Sequence, residues 1–112
     1  MPQYQPGDVV LLSFPVPGAN AVRHRPALVL VDTGEEHVVV ARVTSSPALD
    51  AWDVQVLAWQ EAGLLLPSTI SVHLVATLDR YLVERTLGSL ARSDWAQVRA
   101  ALHRLWFDEQ AG

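Results

Sequence analysis

The sequence predicts a mainly β fold: a small barrel of five or six short strands, with one helix packed on it at the C-terminal end. Two observations lead to this prediction. Short apolar runs rich in β-branched residues recur between clusters of glycine and proline, as is typical of strands separated by turns. Apolar residues recur at helical spacing in the last part of the chain. The length favours one domain, residues 1–112.

Each predicted strand is an apolar run bounded by turn residues. The second begins near Arg25, and Pro26 suits its first position because a missing N–H there breaks no interior ladder bond. Residues 77–79 and those that follow them are expected to form a short helical turn. The predicted strands are Asp8–Phe14, Arg25–Val31, His37–Thr44, Asp53–Trp59, Thr69–Val75 and Arg85–Leu90.

The predicted helix begins after Ser93, a good N-cap residue, and ends near Phe107. Asp94 would then lie at the positive end of the helix dipole. One apolar stripe follows the helical period and is expected to face the core: Trp95, Val98, Leu102, Leu105 and Trp106.

The second and third strands are joined by a short turn containing Gly34, which predicts a β-hairpin. Folding the chain between Gly34 and Glu35 sets Arg25 opposite Thr44. Directly opposed residues have Cβ atoms about 5 Å apart, so these two side chains are expected to be neighbours. A slip of one residue would place them on opposite faces, so the inference depends on the register.

Composition limits the function classes. The net charge of −4 argues against broad, non-specific affinity for nucleic acid, although it leaves room for a local basic site. All eight basic residues are arginines, whose fork of donors matches phosphate, although a lysine-poor genome would give the same composition. Half of the residues are apolar, which favours self-association. We expect no signal peptide, no membrane span and no disulfide, hence a cytoplasmic protein.

Two loops flank the predicted Arg25–Thr44 pair. Pro15–Val22 leads directly into Arg23 and His24, and Ser45–Ala51 follows Thr44 and ends at Trp52. Each side chain also has an ordinary structural interpretation. The arginines could form surface ion pairs or stay solvated, and the tryptophan could anchor its loop instead of stacking on a base.

Motifs along nearly the whole chain resemble the PemK/MazF family of bacterial toxins. A C-terminal helix follows them, as in the family. The motifs, in the order in which that family has them, are Gly7-Asp8-Val9-Val10, Phe14-Pro15, Arg25-Pro26-Ala27-Leu28-Val29-Leu30, Thr44-Ser45-Ser46, Gly63-Leu64-Leu65 with Pro67-Ser68, Thr77-Leu78-Asp79 and Leu87-Gly88.

The resemblance implies an SH3-like barrel of five to seven strands, of the PemK/MazF/CcdB type, that forms a homodimer. It also implies an endoribonuclease that cuts single-stranded RNA without a metal ion or other cofactor. The ribose 2′-hydroxyl would attack the adjacent phosphate. A cognate antitoxin would occupy the site, and operator DNA would be bound only together with it. The implied catalytic residues are Arg25 and Thr44; the candidate RNA-binding residues are Arg23, His24, Arg42, Ser45, Ser46 and His73.

The chain departs from the family pattern in one segment. Where the family commonly has a basic, an apolar and an acidic residue, this chain has Ser71-Val72-His73, and Ala76 stands at another position that is usually basic. His73 could replace the acidic residue as a general base. The departure leaves two rival interpretations: a non-catalytic barrel that binds an antitoxin or operator DNA, and a general interaction barrel with no role in nucleic-acid chemistry.

Overall fold

The structure is a computed structural model that describes residues 2–107. Six strands form one antiparallel sheet in the order β4-β5-β3-β2-β1-β6, and a single α-helix follows. The predicted mainly β fold with a C-terminal helix is therefore confirmed. The elements are β1 Asp8–Pro15, β2 Val22–Asp32, β3 His37–Thr44, β4 Asp53–Val56, β5 Ser68–Asp79, a 3₁₀ turn Arg80–Leu82, β6 Val83–Ser89 and α1 Arg92–Phe107.

The β2–β3 hairpin has the predicted register along its central part. Ala27 pairs with Arg42 and Val29 with Val40, which is the symmetry obtained by folding the chain between Gly34 and Glu35. Nearer the turn the register shifts at Leu30, where β2 contains one more residue than β3. The ladder ends at Ala27, so Arg25 and Thr44 lie just beyond the paired region.

Apolar residues are buried on both faces of the sheet. On one face, Leu28 and Ile70 are fully buried and pack in a cluster that includes Val98 of α1. On the other face, the cluster contains Val10 and Val29. Because each fully buried aliphatic side chain stabilises the fold by about 1.5–3 kcal/mol, these two clusters hold the strands that carry the exposed residues described below.

Strand β4 is shorter than predicted and ends at Val56 instead of Trp59. Asp94 explains the difference. This buried carboxylate accepts hydrogen bonds from the backbone N–H groups of Leu57 (3.1 Å) and Ala58 (2.9 Å), which turns the chain away from the sheet. Asp94 thus links α1 to the segment after β4, a contact between residues more than thirty positions apart that the helical pattern alone does not reveal.

Two other local predictions were wrong, and a third was right in part. The helix begins at Arg92, one residue before the predicted cap, because the Trp95 N–H already bonds the Ala91 carbonyl. The expected helical turn is present at Arg80–Leu82, but residues 77–79 belong to β5, since they pair with residues 37–39 of β3. Trp106 is 61% exposed, so the apolar stripe of α1 does not face the core along its whole length.

Asp32 ties three parts of the chain together. Its carboxylate accepts hydrogen bonds from the backbone N–H groups of Gln3, Tyr4 and Gly34, each at 2.8–2.9 Å. It also forms a two-pronged ion pair with Arg80, whose Nη1 lies 2.7 Å from Oδ2. The Arg80 hydrogen bonds, followed by the backbone donors, hold the pKa of Asp32 well below its ordinary value.

Candidate functional site

Arg25 and Thr44 line the same cavity, which has a volume of about 910 Å³. Arg25 is exposed and lies one residue before Pro26, where β2 passes into its buried run. Thr44 is the last residue of β3, paired with Thr69 of β5. The buried parts of the two strands therefore fix the backbones of both residues, while their side chains face open space.

The polar lining of this cavity is basic. Three exposed arginines contribute to it: Arg23, Arg25 and Arg85. None of the lining residues is acidic. Among residues 2–107, no carboxylate lies within ion-pair distance of these three guanidinium groups. In a chain of net charge −4, this arrangement concentrates positive charge in one concave site, as expected for binding an anion.

The hydroxyl of Thr44 is arranged as a donor. Its oxygen accepts a hydrogen bond from the Ser46 N–H at 3.2 Å, so the hydroxyl hydrogen is left to bond a ligand. A phosphate oxygen placed between Thr44 and Arg25 would meet a neutral donor on one side and a charged planar donor on the other.

His24 also lines the cavity, and it has a carboxylate partner. Its Nε2 lies 3.2 Å from Oε2 of Glu84, on the neighbouring β6 segment. If the neutral imidazole donates its Nε2–H to that carboxylate, its Nδ1 is the acceptor nitrogen. Histidine is the side chain that most often serves as a general base near neutral pH. The cavity therefore contains a group able to accept a proton.

The opposite wall of the cavity is apolar and closely packed at its base. Leu64, Leu65 and Leu66 form it, and Leu65 is 91% exposed. Gly63 precedes them with φ +81°, and a Cβ there would lie 2.1 Å from the Leu87 carbonyl oxygen. Only glycine fits this backbone contact, which holds the leucine segment against β6.

The candidate RNA-binding residues divide into two groups. Arg23, His24 and Ser45 line the cavity together with Arg25 and Thr44. Arg42, Ser46 and His73 do not. Arg42 lies with Arg25 along a shallower neighbouring depression of about 390 Å³. Ser46 contacts the cavity indirectly, through its hydrogen bond to Thr44.

His73 and Ser71, the residues that depart from the family pattern, belong to a different place. Ser71 is buried and donates a hydrogen bond to Asp53 at 2.8 Å. The pKa of Asp53 is lowered, mainly by the Leu49 N–H, then by Ser71, and also by the nearby charge of His73. Ligand atoms of His73, Asp53 and Asp50 lie within 4.8 Å of one another, and this is the group among the described residues that could hold a metal ion. Ser71 and His73 thus lie outside the lining of the Arg25 cavity, while Ala76 lines the neighbouring depression that contains Arg25 and Arg42.

Arg85 and Ser68 line the cavity but were not among the site residues predicted from the sequence. Ser68 was noticed only as part of a motif. Arg85 reaches the site because β6 pairs with β1, and that ladder joins segments more than seventy residues apart with two shifts of register. In the sequence, Arg85 is a single basic residue on a short predicted strand, and nothing in that pattern predicts that it lines the cavity.

A comparison with family sequence profiles identifies the chain. The profile of the PemK-like, MazF-like toxins of type II toxin–antitoxin systems matches residues 5–106. The chain belongs to this toxin family. The match covers both strands that carry Arg25 and Thr44, so the resemblance stated from the motifs is confirmed. A comparison with curated protein sequences finds no match.

Solved structures of toxins share the fold. A MazE–MazF complex from Deinococcus radiodurans is 26% identical, with a TM-score of 0.73 over 91% of this chain and 94% of that chain. A mycobacterial endoribonuclease bound to its cognate antitoxin is 18% identical, with a TM-score of 0.66 over 89% and 91%. The Mycobacterium tuberculosis toxin MazF-mt6 is 23% identical, with a TM-score of 0.66 over 85% and 93%. The last two similarities establish the fold alone.

Proposed function

We propose that this protein is the toxin of a type II toxin–antitoxin system and that it acts as a metal-independent endoribonuclease on single-stranded RNA. The observation that carries the proposal is the cavity in which Arg25 and Thr44 meet without any acidic lining residue. Single-stranded RNA can splay its backbone across such an open basic site. Structurally similar toxins are endoribonucleases.

In the proposed reaction, the ribose 2′-oxygen bonds to the adjacent phosphorus and the bond from phosphorus to the 5′-oxygen breaks. The products are a 2′,3′-cyclic phosphate and a free 5′-hydroxyl, so one proton leaves the 2′-oxygen and one reaches the 5′-oxygen. Arg25 stabilises the charge that develops on the phosphate oxygens, and Thr44 donates to a non-bridging oxygen. We assign removal of the first proton to His24, whose Nδ1 is the acceptor nitrogen when its Nε2–H bonds Glu84. Water supplies the proton that reaches the 5′-oxygen. The RNA supplies its own nucleophile, so this mechanism needs no metal ion.

The rival in which the barrel is non-catalytic is motivated by Ser71, by His73 and by the net charge of −4. The net charge does not decide against catalysis, because the cavity itself is lined by three arginines and no acidic residue. Because neither Ser71 nor His73 lines the cavity, their identity removes no group from it. We therefore favour the catalytic interpretation over a purely antitoxin- or DNA-binding one. In this proposal the general base is His24 and not His73.

The proposed partners are a cognate antitoxin, a second copy of the chain and, together with the antitoxin, operator DNA. The Deinococcus toxin was solved with MazE, and a mycobacterial one with its antitoxin. A homodimer is supported by β5, since β4 covers only residues 68–71 of it and Leu74 and Val75 beyond are 42% and 39% exposed. Within residues 2–107, no helix is long and apolar enough to cross a membrane. We place the protein in the cytoplasm, where its proposed substrate is found.

The test is cleavage of mixed-sequence single-stranded RNA by the purified protein in excess EDTA. We expect fragments that end in a 2′,3′-cyclic phosphate, and no cleavage of a strand whose 2′-hydroxyls are replaced by hydrogen. Cleavage that stops in EDTA and returns with a divalent cation would contradict the mechanism. Failure to cut any RNA, combined with tight binding of the antitoxin, would favour the non-catalytic rival.

A further inference from the structure

Arg85 is one of the three arginines that line the cavity, and the proposed reaction gives it no role. Arg85 is exposed, and its strand partner is Leu11 of β1. On its other side, Leu11 pairs with Pro26 of β2. Neighbouring strands are about 4.8 Å apart, so the backbones of Arg85 and Pro26 are separated by about 10 Å. Arg85 therefore lies two strands away from the end of β2, where Arg25 extends into the cavity.

The position of Arg85 is unfavourable for the protein alone. Three guanidinium groups share one cavity, and no lining residue neutralises them. Glu84, the neighbour of Arg85 on β6, lies against His24 instead. Among the described residues, Arg80 shows the ordinary structural use of an arginine in this chain, a two-pronged ion pair with a buried carboxylate. Like charges left together without such a partner indicate a ligand that carries more than one negative charge.

The cavity also has the size for such a ligand. Its volume of about 910 Å³ far exceeds what a single phosphate occupies, and its apolar lining includes Leu11, on the strand between those of Arg25 and Arg85, and Leu87. A nucleoside with a phosphate on each side offers the matching pattern: two anions separated by an apolar ring and a sugar. Arginine is suited to each anion because its planar fork matches phosphate.

We propose that Arg85 binds a second phosphate of the RNA, one that flanks the phosphate at the cut bond. The protein then recognises a segment with at least two consecutive phosphates, the first held by Arg25 and Thr44 and the second by Arg85. This inference rests on the proposed function for the identity of the ligand, RNA. The binding of a second phosphate by Arg85 can be tested independently of cleavage.

The salt dependence of binding tests the proposal without any need for cleavage. The probe is a mixed-sequence single strand of 2′-deoxynucleotides, which lacks the attacking hydroxyl, with affinity measured by fluorescence anisotropy across a series of KCl concentrations. Each phosphate contact in a single strand contributes about 0.7 to the slope of log K against log salt. Arg85→Ala should lower the slope by about 0.7, and Arg85→Lys should retain it. Arg99→Ala, which removes an exposed arginine of α1 outside the cavity, is the matched control and should leave the slope unchanged.

Substrate length provides the second test. Where the protein cuts a dinucleotide with one phosphate, addition of a flanking phosphate on one end or the other should lower KM by about tenfold or more, as expected for a charge-assisted hydrogen bond. In Arg85→Ala this gain should disappear, whereas Arg99→Ala, which changes an exposed arginine outside the cavity, should retain it.

The outcomes separate the two proposals. A wild-type protein that cuts RNA while Arg85→Ala keeps both the salt slope and the gain from the flanking phosphate would overturn the role of Arg85 alone. A protein that binds with the expected change of slope but cuts nothing would overturn the endoribonuclease proposal and support the second phosphate site. Absence of any binding to the strand would overturn the second phosphate site, while RNA cleavage in EDTA decides the endoribonuclease proposal separately.

Discussion

Two arginine environments in this chain differ in a way that separates structure from function. Arg80 lies against the carboxylate of Asp32, whose side chain is fully buried, and only 22% of the Arg80 side chain is exposed. Arg25 is exposed, and with Arg23 and Arg85 it lines a cavity whose lining residues include no carboxylate. Arginine thus forms an ion pair with a buried carboxylate at one site, and at the other its hydrogen-bond donors are available to a ligand.

The two environments differ in how the charge of the arginine is balanced. At Asp32, ion pairing and three backbone donors satisfy the carboxylate, so the charges are neutralised within the protein. In the cavity, no lining carboxylate balances the arginine charges, so a bound anion would supply the opposite charge. A change at the first site should therefore affect the stability of the fold, and a change at the second should affect activity.

The largest effect is expected for Arg25→Ala. Removing the charged donor from the proposed transition state should lower kcat by about 10²–10³-fold, the loss typical for one such donor. The unfolding free energy should change by less than about 0.5 kcal/mol, because the side chain is exposed and unpaired. Single-turnover RNA cleavage and urea denaturation measure the two quantities, with Arg99→Ala as the surface-arginine control. A folded Arg25→Ala protein that cuts RNA at the wild-type rate would remove Arg25 from the mechanism.

The converse effect is expected for Asp32→Ala. The substitution leaves the N–H groups of Gln3, Tyr4 and Gly34 without their acceptor, and it leaves the Arg80 charge unpaired. The unfolding free energy should fall by about 3 kcal/mol, while the folded fraction should cut RNA at the wild-type rate. Asp79→Ala, which removes an exposed carboxylate whose ion-pair partner within residues 2–107 is His37, is the control and should cost far less. A loss of activity in folded Asp32→Ala protein would show that the two arginine environments are coupled.

The same contrast explains which features could be predicted from the sequence. The β2–β3 hairpin is local, so symmetry about its turn was enough to bring Arg25 and Thr44 to one site. The Asp32–Arg80 pair joins residues 48 positions apart, and Arg85 depends on an irregular β1–β6 ladder. Neither leaves a periodic pattern in the sequence, because the partner of each residue is set by the packing of distant strands. Asp94 was predicted to interact with the helix dipole, and its actual partners lie after β4 for the same reason.

The smallest effect, and the one that isolates the structural arginine, is the response to acid. Hydrogen bonds from Arg80 and the backbone lower the folded-state pKa of Asp32 below its unfolded value, which is about 3.9 for an aspartate. The folded protein therefore holds this proton less strongly than the unfolded chain does. The stabilisation is fully present above that unfolded value and is lost progressively as the pH falls toward the folded value.

Urea denaturation between pH 6 and pH 2 should thus show an unfolding free energy that declines below about pH 4. In Asp32→Asn, which keeps the side-chain shape but cannot titrate, this decline should be shallower. Asp53 also has a lowered pKa and contributes with the same sign, so a residual slope should remain in that variant and decrease further in Asp32→Asn/Asp53→Asn. A pH dependence identical in wild type and Asp32→Asn would mean that the Arg80 pair contributes nothing to acid stability, and the distinction between the two arginine environments would have to rest on activity alone.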